Sequence, residues 1–120
     1  MQIKIRLWDI ENKKWMESTQ IGLLTAYLKY PDKFIQNIFT QLYDKSGKEI
    51  YEDDILKTNL GTIGRVRHSH SVCWYLHYPQ KEVDDRGKHY FGVMQLWDAA
   101  DRTKIVGNIF DNKRLANLVI

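Results

Sequence analysis

Short stretches of alternating apolar and polar residues, separated by turn sequences about every ten residues, dominate this chain. Successive side chains of a strand point to opposite faces of a sheet, so this alternation allows one face to be buried. Residues 3–8 (IKIRLW) follow the pattern, and a turn at 9–14 precedes a short strand at Trp15 and Met16. The chain therefore opens with a predicted hairpin and favours antiparallel β structure.

The clearest hairpin signal lies in the middle of the sequence. Residues 38–43 and 48–51 flank the segment Asp44-Lys45-Ser46-Gly47. An Asp at the start of such a segment and a Gly at its end are typical of a type I turn closed by a left-handed glycine. We predict a β-hairpin with this turn at its tip.

Two helical segments are predicted. The first, at 21–30, has apolar side chains at helical spacing: Ile21, Leu24 and Leu28, with Tyr27 alongside. Pro31 ends this pattern, because the residue before a proline is disfavoured in the α region. The second is a terminal helical turn with Asp111 as its N-cap, packing Leu115 and Leu118.

The second half of the chain reads as further short strands. They are expected at 55–57, 62–67, 72–78, 89–97 and 104–109, with a turn at 59–61 and a polar connection at 98–103. In the strand at 72–78 the face predicted to be core comprises Val72, Trp74, Leu76 and Tyr78. Residues 79–88 hold six charges and almost nothing to bury, which predicts an exposed, mobile loop.

Length and composition indicate one cytosolic β domain over residues 1–120. The chain is 43% hydrophobic and 28% charged, and its net charge of +3 is too small to imply a polyanion partner. One cysteine, Cys73, excludes an intramolecular disulfide framework and fits a reducing compartment. No apolar run is long enough for a membrane span. Six or seven short strands favour a small antiparallel barrel or roll.

Three segments together resemble the YopX-like family of phage and prophage proteins: 6–9 (RLWD), 40–55 (TQLYDKSGKEIYEDDI) and 105–112 (IVGNIFDN). Their order and spacing agree with the family. The resemblance implies a mainly β fold with an SH3-like β-barrel, here with an N-terminal strand extension and one or two short helices. It also implies an accessory protein of a temperate phage or prophage, in the cytoplasm of the bacterial host.

Two positions depart from the family pattern by losing a glycine. Gln41 stands in Thr-Gln-Leu where the family has Thr-Gly-Leu, and Asp53 stands in Glu-Asp-Asp where it has Glu-Gly-Asp. Asp tolerates a positive φ better than most residues, whereas Gln does not. We therefore expect that the position of Gln41 does not need a positive φ.

An acidic cluster, Glu52, Asp53 and Asp54, follows the central hairpin. Paired carboxylates bind Mg²⁺ or act in general acid and base catalysis. The alternative is a solvated turn whose Asp side chains accept from backbone amides. Because hard-cation sites usually need further oxygen ligands, we favour the turn and expect neither a metal nor a cofactor.

A basic and aromatic segment is the other candidate site. It comprises Arg65, Arg67, His68 and His70, close to Trp74 and Tyr75. Small barrels bind single-stranded nucleic acid by stacking bases on aromatic side chains beside a basic groove. If the core face of the neighbouring strand points inward, only Arg65, Arg67 and Tyr75 remain outside. His68 and His70, two residues apart, are also a weak candidate pair for Zn²⁺.

No catalytic sequence motif occurs, so a non-enzymatic function is expected. Four Trp and seven Tyr are many large aromatics for a small core, and such residues are enriched at protein interfaces. We favour a binding or adaptor module that contacts a protein partner or copies of itself, helped by sheet edges left open for strand addition. The alternatives are a nucleic-acid-binding small barrel and a metal-dependent enzyme using the acidic cluster.

Overall fold

A computed structural model describes residues 3–71, 73–83 and 89–119 of the chain. The strands are β1 (Ile5–Asp9), β2 (Lys14–Trp15), β3 (Phe34–Tyr43), β4 (Glu49–Tyr51), β5 (Asp54–Thr58), β6 (Ile63–Ser69), β7 (Cys73–Val83), β8 (His89–Gln95) and β9 (Thr103–Asn108). The helices are α1 (Gln20–Lys29), α2 (Leu96–Ala99) and α3 (Lys113–Val119), with 3₁₀ turns at Pro31–Lys33 and Ala100–Arg102. The described chain is mainly β, as predicted, with short helices.

The chain forms two compact units, one up to Phe39 and one from Thr40 onward. Strand β3 is continuous through this boundary. The expectations of one domain over 1–120 and of an SH3-like barrel stay predictions, and each unit is described by itself.

The first unit is built around β1, whose two neighbours are antiparallel. β1 pairs with β2 on one side and with β3 on the other, with Ile5 opposite Ile38. Ile5 and Leu7, which alternate with polar residues in the sequence, are buried with Leu23 of α1, whereas Ile3 of the same predicted strand is exposed. Trp8, on the other face, is buried too, because its ring packs edge to face on that of Trp15 at 5.1 Å.

The second unit contains a five-stranded sheet in the order β8-β7-β6-β5-β9. On one face of this sheet the core contains Leu76 and Tyr78 of β7, as predicted, with Leu56 and Val66 of the neighbouring strands. Of the other residues predicted for the core face of β7, Trp74 is partly buried and Val72 lies outside the described residues. The same core cluster includes Ile50, Leu96 and Ala100. Ile55 lies on the opposite face from Leu56 and is also fully buried. Helix α3 contacts β5, β6, β7 and β9.

The central hairpin is confirmed. β3 and β4 are neighbours in a sheet, Gly47 has a φ of +81°, and its N–H donates to the carbonyl oxygen of Asp44. The Oδ1 atom of Asp44 accepts from the backbone N–H groups of Ser46 and Lys48 at 2.8 and 3.0 Å. The Asp and Gly of the turn therefore act as the sequence predicts.

The prediction for Gln41 is wrong. Its φ is +70° and that of Asp53 is +67°, so both residues adopt the left-handed region. The reason for the geometry at Gln41 lies beside it: the Thr40 hydroxyl donates to the carbonyl of Ile50 and accepts from the N–H of Leu42. These two bonds hold the backbone on either side of Gln41 and fix its conformation.

Two local predictions in the C-terminal half also need correction. β7 extends to Val83, so 79–83 is strand rather than loop, because antiparallel pairing with β8 satisfies its backbone; residues 84–88 of the predicted loop lie outside the described residues. The strand expected at 89–97 ends at Gln95, since α2 begins at Leu96. Within the predicted polar connection at 98–103, α2 ends at Ala99 and residues 100–102 form a 3₁₀ turn.

The terminal helix is present but differs in its start and its packing. α3 begins after Asn112, and Asp111 instead accepts from the side-chain amide of Asn108 at 2.9 Å. Its buried residues are Ala116 and Val119, whereas Leu118 is half exposed. Asn112, rather than Asp111, directly precedes the helix.

Candidate binding surfaces

The pleat of β6 divides the predicted basic segment between the two faces of the sheet. Arg65 and Arg67 point to one face, while His68 follows Val66 on the core face. Across to β7, Arg67 lies opposite Tyr75, whereas His68 lies opposite Trp74. The five predicted binding residues therefore do not form one surface.

Arg65 is engaged by the acidic cluster. Its Nε and Nη2 atoms donate to Oδ1 of Asp53 at 3.0 and 2.8 Å, and both side chains are largely buried. The two candidate sites proposed from the sequence thus meet in one ion pair. Since Asp53 compensates its charge, Arg65 is poorly placed to bind a phosphate.

Two of the three carboxylates of the acidic cluster serve local structure, and Glu52 is partly buried. Asp54 is buried, and its Oδ2 accepts from the N–H of Tyr51 at 2.8 Å. Asp53 is bound to Arg65. In the described part of the chain, no group of three or more His, Cys, Asp or Glu side chains is placed to hold a metal ion. The arrangement corresponds to a turn that fixes backbone and an arginine, with Asp54 buried rather than solvated.

The histidines have separate surroundings. The His68 ring packs edge to face against Trp74 at 4.8 Å and lies 6.4 Å from the ring of His70, measured between centroids. His77 lies on the arginine face, opposite Arg65. Burial of the His77 imidazole lowers its pKa, and the charges of Arg67 and Arg65 lower the pKa further. His77 is therefore biased toward its neutral form.

What remains of the basic and aromatic surface is small. Arg67 and His70 are exposed, and Tyr75 is partly buried beside Arg67. Of the predicted segment, Arg67 beside Tyr75 is thus the pair left on the arginine face, a minor part of the basic groove and stacking platforms that single-stranded nucleic acids use.

The most exposed apolar surface of the first unit lies on α1. Ile21 is 80% exposed, Leu28 73% and Leu24 48%, and Ile3, ahead of β1, is 74% exposed. We call these four residues the α1 face. Sequence spacing predicted the helix, but the side of α1 that packs on β1 is the one with Leu23. The sequence carries one signal of this exposed face. The helix α1 is apolar over most of its circumference, and a single contact with the core cannot cover all of that surface.

A groove of about 360 Å³ lies at one end of the α1 face. Its lining is Ile3, Ile5, Gln20, Ile21 and Leu24. The Gln20 side-chain amide pairs with the backbone of Ile5, accepting from its N–H and donating to its C=O, each at 2.9 Å. Gln20 thus occupies the edge of β1 that the two-residue strand β2 leaves open, and the rest of the groove is apolar.

A second cleft, of about 330 Å³, lies in the second unit. Tyr78 and Met94 form its floor, with the Tyr78 hydroxyl 3.1 Å from the sulfur of Met94. Leu60, at the tip of the turn between β5 and β6, stands 88% exposed at its rim. This cleft mixes apolar and polar side chains and contains none of the predicted site residues.

One of the sheet edges expected to be open is covered at its start. β9 ends the five-stranded sheet, but the N–H of Lys45 donates to the carbonyl of Thr103 at 2.9 Å. The Oδ2 atom of Asp44 accepts from the N–H of Ile105 at 3.0 Å. The turn of the central hairpin therefore blocks the start of this edge against strand addition.

These features define a small, mainly β protein with an exposed apolar helix face. Searching the described residues for a helix long and apolar enough to cross a membrane finds none. The family model described as "YopX protein" matches residues 27–117, and the chain belongs to the YopX family.

Among solved structures, the chain is similar to protein EF1440 from Enterococcus faecalis. The identity is 19%, the TM-score is 0.54, and the match covers 96% of this chain and 98% of that one. This likeness concerns the fold. No curated protein matches the chain.

Proposed function

We propose that this chain is a non-enzymatic accessory protein of a phage or prophage that acts in the host cytoplasm through protein–protein contacts. The observation that carries the proposal is the α1 face, where four aliphatic side chains are 48 to 80% exposed. Contiguous apolar patches of several hundred Å² on soluble proteins usually mark interaction sites. Family membership supports the phage or prophage origin.

The distribution of charge favours a protein over a nucleic acid as the partner. Arg65, the best-placed cation of the predicted nucleic-acid surface, is bound to Asp53. His68 packs on Trp74, whose ring belongs to the periphery of the core. Salt-sensitive binding of nucleic acid requires several uncompensated cations in one groove. On this sheet face the exposed Arg67 is separated from the exposed Lys57 and Lys104. Between them lies the row that holds the neutralised Arg65 and the buried Ile55.

The test compares protein and nucleic-acid binding in matched variants. Leu28→Lys places a charge on the α1 face, Arg67→Ala removes the exposed cation of β6, and Leu60→Lys is the control at an exposed apolar residue elsewhere. Each variant is assayed by light scattering, by retention of proteins from a bacterial lysate, and by anisotropy of a labelled single-stranded oligonucleotide. The proposal expects protein contacts that Leu28→Lys abolishes and the other two variants retain.

The opposite pattern would overturn the proposal. Oligonucleotide binding that weakens with rising salt and disappears in Arg67→Ala, together with protein contacts insensitive to Leu28→Lys, would make the nucleic-acid alternative the better description. Circular dichroism of all three variants verifies that the exposed substitutions leave the fold unchanged.

A further inference from the structure

The α1 face has features that identify its occupant, given the proposed function on which this inference rests. We propose that the partner is a second copy of this chain, bound through antiparallel packing of α1 against the α1 helix of that copy. Three observations support this arrangement: the spacing of the exposed aliphatic residues, the charge at the two ends of the helix, and the extent of the patch.

The exposed aliphatic residues form a seam suited to packing against another helix. Ile21, Leu24 and Leu28 are spaced three and four residues apart, so they line one side of α1 over about 10 Å. The midpoint of the seam falls at Leu24. In an antiparallel pair, a two-fold axis near this residue places Ile21 of one copy beside Leu28 of the other. A surface that is complementary to itself in this way is what a two-fold dimer requires.

The charges at the ends of α1 also favour the antiparallel direction. Exposed Glu17 precedes the N-cap Thr19, while Lys29 and Lys33 lie at the other end. Both lysines are gathered over the ring of Tyr30, with their Nζ atoms 5.6 and 4.8 Å from its centroid. Although Asp32 lies at the same end, that end keeps one net positive charge and the Glu17 end one negative charge. Antiparallel packing sets the two against each other, whereas parallel packing would set like against like.

The patch is wider than the three-residue seam of α1. Ile3 extends the seam sideways, because it lines the same groove as Ile21 and Leu24. Two copies of such a face give an apolar centre with a charged rim, which is the arrangement seen in protein interfaces. Thr25 lies beside the seam, but its hydroxyl donates to the carbonyl of Ile21 at 2.8 Å, so it brings no unpaired donor into the interface.

The deciding experiment is sedimentation equilibrium of the full chain over a concentration series. Wild type is expected to dimerise, and Leu28→Lys to raise the dimer dissociation constant by at least about tenfold. Leu60→Lys, a matched change at a residue 88% exposed in the second unit, is expected to leave the constant unchanged. Circular dichroism confirms that the variants remain folded.

A charge exchange tests the direction of packing. Glu17→Lys and Lys33→Glu are each expected to weaken the dimer by about fivefold, and the double variant to restore it, because each end then meets an opposite charge again. A failure of the double variant to recover would overturn the antiparallel arrangement, as would a dimer that tolerates Leu28→Lys.

A wild-type chain that stays monomeric through the series would overturn self-association. The proposed function would nevertheless stand if a different protein were retained by wild type and lost with Leu28→Lys. Both proposals fail if the chain is monomeric and no protein contact depends on Leu28. Association through Leu60 instead, shown by loss of the dimer in Leu60→Lys alone, would assign the interface to the second cleft.

Discussion

The Oδ2 atom of Asp44 accepts a hydrogen bond from the backbone N–H of Ile105, 61 residues later in the chain, at 3.0 Å. The other carboxylate oxygen accepts from the N–H groups of Ser46 and Lys48. One buried side chain thus organises its own hairpin turn and covers the edge of β9. Burial alone raises the pKa of Asp44, but the N–H groups of Ile105, Lys48 and Ser46 together outweigh it, so the pKa lies below its ordinary value.

Asp44→Asn is expected to destabilise the protein by about 2 kcal/mol at neutral pH, since the amide cannot accept all three backbone bonds and loses the charge that strengthens them. Urea unfolding measures the loss, with exposed Asp101→Asn as the control. The pKa of Asp44 is lowered on folding, so its carboxylate stabilises the folded state fully above the ordinary value of 3.8. This stabilisation is lost as the pH falls through the folded pKa. The difference between wild type and Asp44→Asn should therefore shrink in acid; a difference constant from pH 7 to pH 3 would contradict this role.

His77 is expected to make the protein less stable in mildly acidic solution. Its pKa is lowered on folding, so below the ordinary value of 6.5 the unfolded chain binds a proton that the folded chain resists. The free energy of unfolding should fall as the pH drops from 7 toward the folded pKa, and this slope should be reduced in His77→Gln. Exposed His70→Gln serves as the control, and a slope unaffected by His77→Gln would exclude His77 as its source.

Gln41→Gly is expected to stabilise the protein by about 1 kcal/mol, because a residue with a side chain pays a penalty in the left-handed region that glycine avoids. Gln36→Gly, in the same strand but with ordinary extended geometry, should instead destabilise it by a similar amount. Thermal or urea unfolding of both variants gives the comparison. Equal destabilisation by the two substitutions would show that the side-chain contacts of Gln41 outweigh its backbone strain.

Asp53 combines backbone strain with an ion pair, so its variants should separate the two. Asp53→Ala loses the bonds to Arg65 while keeping a side chain at a φ of +67°, and we expect a loss of about 2 kcal/mol. Asp53→Gly loses the same bonds but relieves the strain, so it should be about 1 kcal/mol more stable than Asp53→Ala. If the two variants unfold at the same urea concentration, the backbone at Asp53 is not strained.

Much of the β structure could be predicted because its signals are local. The turn at 44–47 depends on an Asp and a Gly within four residues, and the core face of β7 follows from the alternation of Leu76 and Tyr78 with polar neighbours. Burial of every second residue is a property of the strand itself. Such features need no knowledge of distant parts of the chain.

The candidate sites were harder to predict because each depends on which strands become neighbours. Arg65 and Asp53 are 12 residues apart, and only the pairing of β5 with β6 lets one neutralise the other. The same pleat that buries Val66 turns His68 away from Arg67 and toward Trp74. Basic residues that are close together in the sequence therefore lie on opposite faces of the sheet in the folded chain.

The sequence by itself determined the short strands, the turn residues and the position of α1, since these follow from the preferences of a few adjacent residues. Only the tertiary structure decided which side of α1 is buried, because Leu23 and Leu24 are equally apolar and the choice depends on how the helix sits on β1. Likewise, the left-handed backbone of Gln41 results from the bonds of Thr40 to its neighbours. The apolar surface left on α1, on which the proposed function rests, is a consequence of that tertiary choice.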